Sequence, residues 1–170
     1  MTALDGLARR EVRRFRRSPF GPITVTGDGH EVRAVAPDGT TARAAAGVEP
    51  GGSADEVAAR LADGIEVLVR DRPFARLHRR GAGASRASRA VLVDAVEPDA
   101  VPDGARFRLR GWDLVVLETP GRSLVRPPRL VPWGLSGTLV TADDVTADVV
   151  LLYALVACSH GLSAPLRLLT

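Results

Sequence analysis

Residues 149–158 constrain the fold of this chain more than any other feature of its sequence. They form a run of ten apolar residues without a polar break. A helix of this composition has no polar face to present to water, so it cannot be an amphipathic surface helix. Ten helical residues rise only about 15 Å, about half the thickness of a bilayer core, which makes a membrane span a poor fit. Protein must therefore surround this helix.

The signals for helix ends agree with a C-terminal helix over residues 143–160. Thr141 or Asp143 can cap its N-terminus, and Gly161 can end it. Asp143 and Asp144 precede the apolar run, where carboxylates serve as caps and partners of the helix dipole.

Strands and tight turns account for most of the remaining chain. Residues 23–26, 31–35 and 106–110 alternate apolar with polar side chains, and turn residues such as Gly, Asp and Pro separate the predicted strands. The segments predicted as strands are 23–26, 31–35, 40–46, 65–69, 74–78, 90–96, 106–110, 112–118 and 138–141. A short helix over residues 54–63, ended by Gly64, interrupts this series.

These elements predict a mainly β fold. In a chain made almost entirely of strands, a sheet must enclose the apolar helix, so we expect an antiparallel barrel of hairpins around or against the C-terminal helix. The alternative is a β-sandwich with a packing helix.

The length of 170 residues allows one domain and no second one of full size. We assign residues 21–170 to that domain and residues 1–20 to a basic amphipathic arm or helix. Leu4, Leu7, Val12 and Phe15 stand at helical spacing in this arm, among six arginines. A helix or strand docked on the domain, with its arginines in water, is the alternative.

The composition suggests a reducing compartment. Cys158 is the only cysteine, which excludes an internal disulfide and a multi-thiolate metal site. The N-terminus lacks the apolar region of a signal peptide. We therefore expect a cytoplasmic protein, with peripheral attachment to a membrane surface left open.

The chemistry-bearing residues give little support for catalysis. His30, His78 and His160 lie far apart and lack metal-ligand spacing. Cys158, Ser159 and His160 are adjacent on a helix, so their side chains point in different directions. No nucleotide-binding glycine motif is present. We expect a non-catalytic protein without a cofactor, and an enzyme of unknown type remains an alternative.

Arginine is the remaining signal, because all 23 basic residues are arginines and the net charge is only +3. Arg106, Arg108 and Arg110 alternate with apolar residues, which places them on one face of a strand. Guanidinium groups bind phosphate in a bidentate manner. The candidate anion- or lipid-binding residues are Arg106, Arg108, Arg110, Arg76, Arg79, Arg80, Arg13 and Arg14.

Three classes of partner follow from this arginine surface. An anionic membrane surface and an acidic protein both suit it. Nucleic acid, bound through the arm and the arginine-rich residues 79–89, is less favoured because stacking aromatics are missing there. A face that is solvated and paired with the protein's own carboxylates is the non-functional alternative.

Three segments carry a resemblance to a known family: Ile-Thr-Val-Thr-Gly-Asp-Gly-His-Glu-Val at 23–32, Ile-Glu-Val-Leu-Val-Arg-Asp-Arg-Pro-Phe-Ala at 65–75 and Asp-Val-Val-Leu-Leu-Tyr-Ala-Leu-Val-Ala at 148–157. Together with the enclosed helix, they resemble the tubby-like barrel of tubby C-terminal domains, phospholipid scramblases and LURP-one-related proteins. The resemblance implies a binding or scaffolding module at a membrane. The family's lysine-plus-arginine phosphoinositide site cannot be carried over, because the chain has no lysine.

Overall fold

A computed structural model describes residues 11–27, 31–45, 62–79, 90–110, 114–127 and 137–159. These residues form a mainly β structure of one antiparallel sheet and one C-terminal helix, as the sequence predicts. The strands are β1 (Glu11–Phe15), β2 (Ile23–Gly27), β3 (Glu31–Val35), β4 (Thr41–Ala45), β5 (Ile65–Val69), β6 (Arg72–His78), β7 (Val91–Ala95), β8 (Arg106–Arg110), β9 (Leu114–Thr119), β10 (Arg122–Arg126) and β11 (Val140–Thr141). The helix, α1, spans Ala147–Ser159.

The strands follow one another in the sheet in the order in which they occur in the chain. Each strand is antiparallel to the next, so the connections that follow the odd-numbered strands all lie at one end of the sheet. We call this end the turn end. It carries residues 16–22, 36–40, 70–71, 96–105, 120–121 and 142–146, and α1 begins there.

Helix α1 forms the centre of the core. Each residue from Val149 to Val156 is at most 2% exposed. The helix packs against β2, β3 and β4, while the Tyr153 hydroxyl donates a hydrogen bond to the carbonyl oxygen of Val115 on β9, 2.7 Å away. The Tyr153 ring also lies 6.2 Å from that of Phe15 and 6.4 Å from that of Phe107. The prediction that protein surrounds this helix is confirmed.

These contacts require a strongly curved sheet. Strands β2 and β9 are seven places apart, which is about 34 Å in a flat sheet. A helix with its side chains is only about 10–12 Å wide, so it can reach both strands only if the sheet bends around it. The two edges meet at an isolated parallel bridge between Arg17 and Thr138, not at a ladder. The described ladders do not close the sheet, so a closed barrel stays a prediction.

The first strand agrees with the alternative of a docked strand for the end of the arm, and not with a helix there. Residues 1–10 lie outside the described part, but Glu11–Phe15 is a strand paired along its length with β2. Arginine favours helix locally, yet β2 offers a free edge and Tyr153 offers an aromatic contact to Phe15. Tertiary pairing therefore overrides local propensity in this segment.

Two smaller predictions also need correction. The turn between β5 and β6 consists of Arg70 and Asp71, both with positive φ (51° and 60°), and β6 starts earlier than expected, at Arg72. The cap of α1 is Thr146, not Thr141 or Asp143, because its hydroxyl accepts from the Val149 amide at 3.4 Å.

No helix among the described residues is long and apolar enough to cross a membrane.

We expect Tyr153→Phe to lower the free energy of unfolding by about 1–2 kcal/mol, because it removes a buried donor and leaves the Val115 carbonyl without it. Urea denaturation measures this difference. The control is Val140→Ala, at a residue 37% exposed, which should change stability by less than about 0.5 kcal/mol. An unchanged stability of Tyr153→Phe would show that the hydroxyl does not anchor the helix.

Candidate functional site

The predicted arginine face of β8 is present on the outside of the sheet. Phe107 is fully buried, while Arg106 and Arg108 leave the opposite face with about a third of each side chain exposed. In the ladders, Arg106 lies opposite Glu118 of β9, and Glu118 lies opposite Ser123 of β10. Three neighbouring strands therefore bring two arginines, a glutamate and a serine to one place.

Glu118 is the one buried charged side chain among the described residues, at 3% exposure. Its Oε1 atom lies 3.3 Å from Arg106 Nε and 3.3 Å from Arg108 Nη1. Burying a carboxylate without compensation is costly, and these two guanidinium groups supply compensating charge. Both distances exceed the 2.7–2.9 Å typical of charge-assisted hydrogen bonds. The two arginines therefore share one carboxylate oxygen at long range.

Arg122 lies near the same place. The hairpin that turns at Pro120 and Gly121 puts it at the start of β10, opposite Thr119. Its two terminal nitrogens bind both carboxylate oxygens of Asp144, at 3.0 and 2.6 Å. The hydrogen bonds between these groups lower the pKa of Asp144 below its ordinary value and raise the pKa of Arg122. This pair joins β10 to the segment that precedes α1.

These side chains border a groove of about 370 Å³ on the outer face, which we call the arginine groove. A β-bulge in β10 lies at its edge, where the ladder to β9 shifts register between Ser123 and Val125. Bulges bend a strand and redirect its side chains. The residues that line the groove are Arg106, Arg108, Glu118, Thr119, Gly121, Arg122 and Ser123.

The charges around the arginine groove do not cancel. The three guanidinium groups of Arg106, Arg108 and Arg122 face the two carboxylates of Glu118 and Asp144. One positive charge is therefore left over among these five groups. Half-exposed guanidinium groups beside a serine hydroxyl can bind the oxygens of a small anion.

The other predicted arginines are not gathered at this groove. Arg76 lies on β6, two strands away, opposite Glu66 on one side and Asp94 on the other, and its guanidinium donates to the Asp63 carbonyl. Gly64 has a φ of +94°, and a Cβ atom there would collide with this guanidinium. The structure thus gives Arg76 a local structural role.

The structure describes the other candidate arginines only in part. Arg14 is exposed on β1, and Arg79 follows β6 and is half-buried. The backbones of Arg13 and Arg110 belong to β1 and β8, but their side chains lie outside the described part. Arg80 and most of the arginine-rich residues 79–89 also lie outside it.

Two of the chemistry-bearing residues are described in local contacts. Asp144 is engaged with Arg122, and His78 Nδ1 lies 3.2 Å from an oxygen of Asp94. Within the described ranges, no three His, Cys, Asp or Glu side chains are placed to hold a metal ion. His30, His160 and the side chains of Cys158 and Ser159 lie outside these ranges.

Sequence reasoning missed Glu118, Arg122 and Ser123. A usable signal was present, because a hairpin that turns at Pro120 and Gly121 places Arg122 opposite Thr119 and Ser123 opposite Glu118. Pairing this hairpin with the alternating arginines of β8 would have indicated the shared glutamate.

Comparison with known proteins finds no matching family model, no matching curated protein and no matching solved structure.

We expect Glu118→Gln to lower the free energy of unfolding by about 1–3 kcal/mol, because it removes the carboxylate that two guanidinium groups share. The matched control is Glu66→Gln, at an exposed position of β5, with an expected change within about 0.5 kcal/mol. Urea denaturation at pH 7 compares the two. Equal effects of both substitutions would mean that Glu118 is not specifically paired.

The Arg122–Asp144 pair predicts a pH-dependent contribution to stability. Because the pKa of Asp144 is lowered from its ordinary value of 3.8, the pair stabilises the fold above that value. The contribution is lost as the pH falls through the lower native pKa. The difference in unfolding free energy between wild type and Asp144→Asn should therefore be full at pH 7 and shrink in acid.

Urea denaturation over a pH series measures this difference, with Asp143→Asn as the control at a neighbouring exposed carboxyl. This control removes a surface carboxyl outside the Arg122–Asp144 pair, and so separates the loss of the pair from the loss of one surface charge. A wild-type advantage over Asp144→Asn that persists unchanged in acid would contradict the assignment.

Proposed function

We propose that this chain is a non-catalytic binding or scaffolding module whose arginine groove takes the phosphate of an anionic membrane headgroup. The observation that carries the proposal is the set of three arginines, Arg106, Arg108 and Arg122, around one groove with an excess positive charge. A cytoplasmic location with peripheral membrane contact follows from the same proposal.

The chemistry of the groove supports a phosphate group. A guanidinium has five N–H donors, and the contacts to Glu118 use Nε of Arg106 and Nη1 of Arg108. Each guanidinium therefore has N–H donors besides the one directed at Glu118, and these donors can bind a phosphate oxygen in the groove. The Ser123 hydroxyl beside them can donate to a further oxygen.

The acidic turn end restricts how the protein can meet an anionic surface. Asp38, Asp71, Asp99, Asp103 and Asp143 are all exposed there. Like charges repel, so these carboxylates oppose an end-on approach to anionic lipid. The outer face of β8, β9 and β10 is then the approaching surface, with the headgroup entering the groove from the side.

Membership of the tubby-like family is part of this proposal. Its support is the sequence resemblance over three segments together with a curved sheet around an apolar C-terminal helix. The family's usual binding site is not transferable, so the arginine groove has to be tested as a site of this chain.

We expect the chain to sediment with vesicles of phosphatidylcholine and phosphatidylglycerol, and not with phosphatidylcholine alone. Arg106→Ala/Arg108→Ala should weaken this binding about 30-fold, because each arginine near an anionic surface contributes about 1 kcal/mol. Arg122→Ala should weaken it about fivefold while leaving the contacts of Glu118 in place, which keeps the test valid if the double variant fails to fold.

The matched control is Arg33→Ala/Arg43→Ala, which removes two positive charges from the outer face of β3 and β4. It should bind within about threefold of wild type, since it leaves the groove intact. Equal loss in both double variants would indicate a non-specific charge effect. Absence of sedimentation, or binding to a DNA duplex but not to the vesicles, would overturn the proposal.

A further inference from the structure

A second groove, independent of the proposed function, lies at the turn end. It has a volume of about 470 Å³, within the usual range for small-molecule sites. Strand β6, the segment that follows β7 and the start of α1 form its walls. We call it the turn-end groove. Its lining consists of Val69, Arg70, Arg72, Pro73, Phe74, Glu97, Asp99, Ala100, Thr146 and Asp148.

Contacts among the lining elements fix the walls of this groove. Arg70 Nη1 lies 2.8 Å from Asp148 Oδ2 and so ties the β5–β6 turn to the helix. The Val96 amide donates to the Phe74 carbonyl at 3.0 Å, which holds the segment after β7 against β6. Because these contacts already fix the walls, binding of a ligand does not require the walls to become ordered, and the entropic cost of binding is lower.

A tight turn after β7 carries the acidic residues of this groove. The Ala100 amide donates to the Glu97 carbonyl at 3.2 Å, and Asp99 adopts a φ of +64° within that turn. The carboxylates of Glu97 and Asp99 are exposed. The turn therefore holds two acidic side chains beside the groove.

The opposite charge comes from Arg72, at the start of β6. Its side chain is exposed, and it makes no ion pair with any residue that the structure describes. The same holds, over the described ranges, for Glu97 and Asp99. One cation and two anions thus border a single groove without neutralising one another.

Unpaired charges of both signs around a fixed groove suit a ligand that carries both signs. A carboxylate on the ligand would pair with the guanidinium of Arg72, and an ammonium would pair with Glu97 and Asp99. The side chain of Phe74, 9% exposed, and those of Val69 and Pro73 supply apolar surface between the two charged walls.

We propose that the turn-end groove binds a small zwitterion, an amino acid or short peptide with free termini. Arg72 binds its carboxylate, and Glu97 with Asp99 binds its ammonium group.

Nuclear magnetic resonance titration of the full chain with glycine, diglycine, triglycine and tetraglycine tests this site. The series places the two charges at increasing separations, with about 3.5 Å added per residue. At least one member should cause saturable shifts in the amides of residues 96–100 and 70–74. N-acetylation or C-terminal amidation of that member should each weaken binding by up to about fivefold, because each removes one charge pair.

Variants assign the effect to the groove. Arg72→Ala should remove the penalty of amidation, and Glu97→Gln/Asp99→Asn should remove the penalty of N-acetylation. Asparagine tolerates the positive φ at position 99, so the turn should be preserved. The matched control is Asp103→Asn, an exposed acid of the same connection outside the lining, which should bind as wild type does.

No saturable shift with any of the four compounds would overturn the proposal, as would equal binding of the capped and free forms. Neither result bears on the arginine groove, because the vesicle experiment uses different residues and a different ligand.

Discussion

Burial of the apolar helix is the interaction on which the rest of this structure depends. From Val149 to Val156, every face of α1 is covered, although a helix packed on one sheet normally buries only one face. Each large apolar side chain removed from water contributes about 1.5–3 kcal/mol, so leaving any face uncovered would be expensive. The sheet therefore has to bend until strands as far apart as β2 and β9 reach the helix.

The curvature gives the sheet an inner face toward the helix and an outer face toward water. In β2, β3 and β5, buried residues alternate with more exposed ones. The inner positions of the sheet are filled by small and medium apolar residues such as Ala34, Val67 and Leu117. Charged side chains are confined to the outer face and the turns. Both candidate binding sites lie on these outer surfaces: the arginine groove on β8, β9 and β10, and the turn-end groove beside β6.

Arginine and carboxylate side chains pair extensively on the outside. Arg43 contacts both Glu31 and Asp71, and Arg70 contacts Asp148. Individually, exposed pairs of this kind add little stability. They nevertheless show which charges the protein already uses itself. The places where charge is left over, or left without a partner among the described residues, are therefore the informative ones for binding.

Local patterns predicted much of this fold. Alternation in residues 31–35 and strict alternation in residues 106–110 predicted strands, and the apolar run after residue 148 predicted the enclosed helix. The sequence left both a helix and a docked strand open for Glu11–Phe15, because the partner edge on β2 is a tertiary feature that local propensity does not contain. Arg70 and Asp71 were missed as a two-residue turn because neither is glycine or asparagine.

The site was harder to predict than the fold. Alternation placed Arg106 and Arg108 on one face correctly, but the sequence separates them from Glu118, Arg122 and Asp144, and only the hairpin ladders bring these groups together. The sequence analysis grouped Arg76 with the β8 arginines, and local patterns could not reveal that they are separate. Strand β7 stands between them and places Asp94 opposite Arg76.

Amide hydrogen exchange in α1 tests the central claim most directly. If the enclosed helix holds the sheet in its curved form, the amides of residues 153–156 can exchange only when the whole domain unfolds. Their opening free energy should then equal the unfolding free energy from urea denaturation. Exchange of these amides at a clearly lower free energy, while amides of β3 and β9 stay protected, would show that the sheet keeps its form without the helix and would contradict the account.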